Sequence, residues 1–287
     1  MQNLKYCRPS DIITSLATIT ASGAISADPD YGLPSLYDRN PAKPLKFETA
    51  GPIRLVYDFG TTRRIDAFSL PNHNLDAGLD CIVSLNATNN WTSPTVSVAM
   101  EVGTEHLDGH RASCWADFTA ASGYTQVGFR YCSLFVPANS SAIKLGETPI
   151  IANLREFSQW TQFGGERGAT KPFLESIRTE YGAVRVYRRR VKQRYFRYQI
   201  KGTDDGTKNV GTLLRDDDFN ALQDLSDDAG GMALPFFVTA NAAIKTDGGL
   251  YARFTKETAE RCAAQEEWFD ISPFRFEIEE VSRSVPL

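Results

Sequence analysis

Ile53–Asn74, IRLVYDFGTTRRIDAFSLPNHN, is the stretch from which the fold is read. Ile53, Leu55, Tyr57 and Phe59 alternate with Arg54, Val56 and Asp58, a period of two that turns one apolar face toward a core. Gly60-Thr61-Thr62 breaks the run, and Ile65 to Leu70 opens a second segment of strand character. Two such runs joined by a short Gly-containing connection predict neighbouring β-strands of an all-β domain.

Downstream, the same texture continues in Cys81–Ala87, Thr95–Val102, Cys114–Phe118, Gln126–Phe135 and Ala142–Ile151, separated by clusters of Gly, Asn, Pro or Asp. Upstream lie a β-prone run, Ile13–Ser22, and a turn cluster, Asp28–Gly32. Next comes Pro34–Lys46, whose three prolines remove backbone donors and predict a long loop. Short strands at this spacing favour a sandwich.

Strand, Asp58-Phe59-Gly60, short gap and Arg64-Ile65-Asp66-Ala67-Phe68 together resemble the heart of the discoidin-like (F5/8 type C) galactose-binding jelly roll. The order Tyr124 to Arg130 followed by a last strand, Ala142 to Glu147, is similar to that fold's closing strands. The resemblance spans roughly residues 13 to 151 and implies a binding or structural sandwich, not a catalytic signature. It also implies that the loop between the first strands lies at one end of the sandwich, where ligand or metal sites form.

Composition sets the outer bounds. The 287 residues suffice for two ordinary domains or one large all-β domain. Their 42% hydrophobic and 23% charged content is that of a soluble globular protein. A net charge of −4 argues against a protein whose main task is to coat nucleic acid. The five cysteines, Cys7, Cys81, Cys114, Cys132 and Cys262, are odd in number and lack CxxC spacing, so buried free thiols are expected. Residues 1 to 30 show no signal-peptide pattern and no apolar run approaches the ~20 residues of a membrane span. Folding in a bacterial host cytoplasm is the corresponding expectation.

Around residues 152–170 the texture changes. NLREFSQWTQFGGERGAT is expected to be a linker between a first domain, 1–151, and a second, 171–287. The second opens with strands, including Ala183–Lys201, which carries eight Arg and Lys side chains and no acidic residue. Asp216-Asp217-Asp218-Phe219 begins a predicted helix in which Phe219, Leu222 and Leu225 share a face and which Gly230-Gly231 ends. Strands Ala233–Ala240, Gly249–Phe254 and Trp268–Val281 follow. This order resembles the tail-type β-domain with a packed helix of the phage tube-and-distal-tail ring family. The predicted fold class is therefore all-β with one or two short helices: an N-terminal jelly-roll sandwich and a C-terminal β-barrel or sandwich.

Candidate sites follow from residue chemistry. Tyr37, Asp38, Arg39, His73, Asn74 and Trp91 fall on predicted loops of the first domain and combine aromatic faces with planar hydrogen-bonding groups, the means by which a sugar ring is held. The same residues suit plain loop structure or a protein interface. Arg185, Arg188, Arg189, Arg190, Lys192, Arg194 and Arg197 form either a subunit interface or the solvated face of a long hairpin. His106, His110 and Cys114 have zinc-ligand chemistry, but their spacing requires a helix that Gly103 and Gly109 oppose, so no metal is expected. No cofactor is expected either. No nucleophile elbow, phosphate loop or dinucleotide loop is present, and Asp216–Asp218 and Glu277–Glu280 have ordinary roles as helix cap and solvated strand face. The combined expectation is a non-enzymatic structural protein of a bacteriophage tail tip or baseplate. It would assemble as a homo-oligomeric ring with tail tube, hub and tape-measure proteins, and would touch host-surface glycans. The alternative is a glycan-binding module that is not part of a virion.

Overall fold

The computed structural model describes residues 4–38, 43–103, 105–106, 110–111, 114–157, 161–162, 171–178, 184–193, 195–200, 216–231, 233–239, 249–255, 258 and 274–280. In chain order its strands are β1 (Lys5–Tyr6), β2 (Thr18–Ser22), β3 (Leu45–Lys46), β4 (Ile53–Arg63), β5 (Ala67–Leu70), β6 (Asp80–Asn86) and β7 (Val96–Glu101). There follow β8 (Glu105–His106), β9 (His110–Arg111), β10 (Cys114–Asp117), β11 (Phe129–Val136), β12 (Lys144–Leu145) and β13 (Ile150–Ile151). The chain continues through β14 (Arg155–Glu156), β15 (Thr161–Gln162), β16 (Lys171–Arg178), β17 (Val184–Gln193) and β18 (Tyr195–Ile200). Helix α1 (Asp216–Asp228) comes next, then β19 (Phe236–Thr239), β20 (Gly249–Phe254) and β21 (Phe274–Glu280).

The alternation in β4 is realised as read: Ile53, Leu55, Tyr57 and Phe59 are buried while Arg54, Val56 and Asp58 keep partial exposure. Each large apolar side chain buried here contributes about 1.5–3 kcal/mol. A slip of one residue would drive Arg54 and Asp58 inward at a cost of several kcal/mol, so the register is strongly set. β4 is the second strand of a five-stranded antiparallel sheet, order β2-β4-β11-β6-β7. Facing it is a three-stranded sheet, β10-β5-β13. One core joins them: Leu55, Tyr57, Val83, Leu85, Cys132 and Leu134 from the larger sheet meet Phe68, Leu70, Cys114, Ala116 and Ile150 from the smaller. The Tyr57 and Phe68 rings meet edge to face with centroids 6.1 Å apart. This is an all-β jelly-roll sandwich.

A second, seven-stranded sheet has the order β14-β1-β19-β20-β21-β18-β15. It is open among the described residues, so of the two forms expected for the second part no closed barrel is seen. Helix α1 lies on it through Leu222, Leu225 and Ala229, spaced three and four apart and packed with Phe236, Phe254 and Ile278. The helix ends as expected at Gly230-Gly231: the Gly231 amide donates to Ser226 O at 2.8 Å and the Gly230 amide to Asp227 O at 3.0 Å, a Schellman closure. The side chain of Phe219 lies outside the described residues. Among those residues no helix is long and apolar enough to cross a membrane.

Several local expectations change form. Ile13–Ser22 becomes a 3₁₀ turn, Thr14–Leu16, before β2, because the Thr14 hydroxyl donates to Thr148 O (2.7 Å) and accepts from the Ile150 amide (2.9 Å). The loop Pro34–Lys46 contains the end of a 3₁₀ turn, Leu33–Leu36, and finishes in β3, paired with β12. Within 152–170, β14 and β15 both pair into the seven-stranded sheet, and β1 from the beginning of the chain pairs there with β14 and β19. In the basic stretch, β17 pairs with β16, whereas β18 pairs with β15 and β21. The two basic runs are therefore not partners in one hairpin.

Candidate functional site

The site that the fold builds lies where residues 146–150 cross the end of the sandwich. The Tyr57 hydroxyl donates to Thr148 Oγ1 at 2.9 Å, the Thr148 amide donates to Leu36 O at 3.0 Å, and Thr14 bonds on both sides. These bonds hold Glu147 beside Leu36, Tyr37 and Thr14. The result is a cleft of about 30 Å³ lined by Thr14, Ser15, Tyr37, Glu147 and Tyr251 among its polar residues. Glu147 is 4% exposed and Tyr251 2%, while Tyr37 keeps 38% of its surface at the opening. Tyr251 comes from β20, so the cleft sits on the seam between the jelly roll and the second sheet. That volume admits one or two waters, hence a hydroxyl or hydroxymethyl group and not a whole pyranose ring.

The six residues expected to hold sugar do not come together. Tyr37 lines the cleft, and Asp38 follows it on the surface. Arg39 lies outside the described residues. His73 is fully buried, its Nδ1 accepting from the Leu75 amide at 3.3 Å and its Nε2 3.9 Å from Cys114 Sγ. Asn74 is spent on backbone, donating to Ala142 O (2.8 Å) and accepting from the Lys144 amide (2.7 Å). Both are thus structural parts of the loop packing and not an open binding surface.

Trp91 belongs to a different place, the outer face of the five-stranded sheet. There the Arg54 guanidinium lies 5.8 Å from the Trp91 ring and 5.0 Å from Phe135, and donates to Ser133 Oγ at 3.2 Å. Partial burial lowers the pKa of Arg54. On the same face Arg130 pairs with Asp58 through two bonds of 2.8 and 2.9 Å. Those hydrogen bonds hold the Asp58 carboxyl down at about 2.

Sequence reading missed Glu147, Tyr251 and the Arg54–Phe135 pair. A carboxylate two residues before the apolar Pro149-Ile150-Ile151 is the signal that could have found Glu147. Phe135 sits at an outward position of β11, opposite Arg54, where alternation calls for a polar residue. Tyr251 has no local signal; only the tertiary fold brings it to the cleft.

Other carboxylates are engaged in ion pairs: Asp11 with Arg155, Asp66 with Arg64, Asp117 with Lys5. Asp66, fully buried, also accepts from the Tyr124 hydroxyl and from the Leu154 amide at 3.0 Å. Burial, and after it the bond to Asp66, pushes the Tyr124 hydroxyl up to about 12. Cys7, Cys81, Cys114 and Cys132 are buried free thiols, and burial pushes Cys81 up to about 12. Cys262 lies outside the described residues. His106 on β8 and His110 on β9 lie opposite one another in an antiparallel pair. Among the described residues no group of three potential metal ligands occurs. Arg185, Arg188, Arg189, Arg190 and Lys192 fall on β17 and Arg197 on β18, with side chains outside the described set, as is all of Arg194.

No protein-family model and no curated protein matches the chain. Solved structures that it resembles include a chitosan-binding module from a chitosanase/glucanase of Paenibacillus sp. IK-5, at 15% identity and a TM-score of 0.36, covering 49% of this chain and 98% of that one. Another is the family 32 carbohydrate-binding module of C. perfringens NanJ, solved with galactose, at 11% identity and 0.36, covering 51% and 98%. A third is a GH29 fucosidase of Ruminococcus gnavus, at 11% identity and 0.37, covering 51% of this chain and 26% of that one. Each match takes in about half of the present chain.

Proposed function

We propose that the chain is a non-catalytic carbohydrate-binding protein whose site is the Tyr37–Glu147–Tyr251 cleft. The observation that carries this reading is the composition of that cleft. An exposed aromatic ring stands at its mouth, and a carboxylate with hydroxyl groups lies within. Tyr37 can stack on a sugar face while Glu147, an acceptor with about four lone-pair sites, takes hydroxyl donors from one edge. A cleft of this size receives the hydroxyl-bearing edge of a terminal residue and leaves the ring outside. Glycoside hydrolysis needs two carboxylates flanking the bond. Glu147 is the one carboxylate among the residues lining this cleft, which supports binding without turnover.

The full-length chain on a glycan array tests the reading. The wild type is expected to bind glycans. Tyr37→Ala and Glu147→Gln should each weaken binding by about tenfold, equal to 1.4 kcal/mol, while Trp91→Ala on the outer sheet face leaves it unchanged. Absence of binding by the wild type, or loss confined to Trp91→Ala, would defeat it.

A second reading retains the phage tail tip. Helix α1 docked on the second sheet supports it, as the tail-type resemblance implies, with the cleft then serving host-glycan contact within a virion. Its test is whether the polypeptide co-sediments with purified phage particles.

A further inference from the structure

The five-stranded sheet has two edges, and they differ. At one edge β7 has β10 packed beside it and presents Glu101. At the other, β2 has β4 as its one substantial element neighbour among the described residues, and Thr18, Thr20 and Ser22 are exposed. An open strand edge is a template for pairing, and monomeric proteins blunt it with Lys, Pro, bulges or cover. None of the usual charged or proline guards is present. Residues 12 to 27, IITSLATITASGAISA, contain no charged residue and no proline. Leu16, just before the strand, is 53% exposed.

We propose that β2 is a self-association edge, joining two copies of this chain in an antiparallel pair about a two-fold axis at Thr20. The occupant is inferred from the strand's own pattern. Two-fold antiparallel pairing of TITAS with itself sets Thr20 opposite Thr20 and Thr18 opposite Ser22 on the outer face, a row of hydroxyl pairs of the kind that stabilises sheets. On the inner face Ile19 falls opposite Ala21, large against small. No like charges meet anywhere along this register. Such a contact is isologous and closes at two copies, unlike a ring built from head-to-tail contacts. It would join two five-stranded sheets into one of ten and carry two clefts, so that weak single-site binding gains from bivalence.

Sedimentation of the full-length protein tests the proposal. The wild type is expected at twice the mass of one chain. Thr20→Lys, which brings two ammonium groups together at the axis, should return it to one chain with an unchanged circular dichroism spectrum. Ser97→Lys, on the outer face of β7, should leave the pair intact. A second measurement does not depend on how Thr20→Lys folds. Directly opposite antiparallel residues have Cα atoms about 4.5–5.5 Å apart, within disulfide reach. Diamide should therefore cross-link Thr20→Cys into a covalent dimer, and neither the wild type nor Ser97→Cys. A monomeric wild type, a dimer that survives Thr20→Lys, a dimer equally lost in Ser97→Lys, or no cross-link at residue 20 would each overturn the proposal.

Discussion

At the residue scale, the carboxylates divide by what surrounds them. Asp66 sits in the interior with a bidentate arginine, a tyrosine hydroxyl and a backbone amide, so its charge is fully met where it is most costly. Asp58 lies on the outer sheet face with Arg130, and its depressed carboxyl, at about 2, makes it a reporter of that one pair. The folded pKa lies below the unfolded value of about 3.9. The pair's stabilisation is therefore complete above pH 4 and is lost as pH falls through about 2. Solvent screening keeps the contribution of a partly exposed pair modest. Replacing Arg130 with Gln should raise the Asp58 titration midpoint toward 3.9, read from its side-chain carbonyl shift by NMR. A midpoint that stayed near 2 would mean that the Gly60 amide, which donates to Asp58 Oδ1 at 2.8 Å, and not Arg130, holds the carboxylate ionised.

At the element scale, two glycines on β4 and its partner separate backbone conformation from crowding. Gly60 has a φ of +69° with open space where a Cβ would sit. Gly128, just before β11, has a φ of +97°, and a Cβ there would lie 2.0 Å from Arg63 O. Gly60→Ala should cost about 1 kcal/mol, the left-handed penalty alone, whereas Gly128→Ala should cost at least about 3 kcal/mol, since Arg63 belongs to the β11–β4 ladder. Urea denaturation of the two variants measures the difference. The contrast also explains what was legible beforehand. Alternation in IRLVYDF is local and yielded β4, and the same texture downstream yielded β6, β7, β10 and the sandwich. Gly60-Thr61-Thr62, read as a break, instead lies inside β4, whose pairing with β11 reaches Arg63, and β5 pairs in the facing sheet and not with β4. Helix α1 and its Gly-Gly stop were equally local. The pairings of β1, β14 and β15 are two residues long, too short for any period to show, and they exist because distant strands offer them partners. His73 and Asn74 were misplaced for the same reason. A loop of polar residues reads as exposed until the Leu145 pairing and the 139–144 segment fold over it.

At the scale of the whole molecule, the question is whether jelly roll and second sheet stand or fall together. The N-terminal segment joins them. β1 enters the second sheet, the Cys7 amide donates to Phe237 O at 2.9 Å, and Lys5 pairs with Asp117 of β10 at 2.9 Å. The turn after it reaches the end of helix α1, Arg8 pairing with Asp224 and the Ser10 amide donating to Asp228 at 2.8 Å. Between the two bodies lies a small apolar core of Cys7, Ala67, Trp115, Ile151 and Phe237, in which the Trp115 and Phe237 rings sit 5.4 Å apart. Exposed ion pairs such as Arg8–Asp224 are worth at most about 1 kcal/mol, whereas emptying a buried tryptophan site costs about 3–5 kcal/mol. The apolar core, and not the ion pairs, should therefore set the coupling. On this argument the wild type melts in a single calorimetric transition. Trp115→Ala should split it into two, because the lost side chain faces the second sheet through Phe237 while the sandwich core around Tyr57 and Phe68 stays filled. Arg8→Ala should lower the single transition slightly without dividing it. One undivided transition in Trp115→Ala, merely shifted down, would show that the β1 pairing alone suffices to bind the two bodies into one cooperative unit.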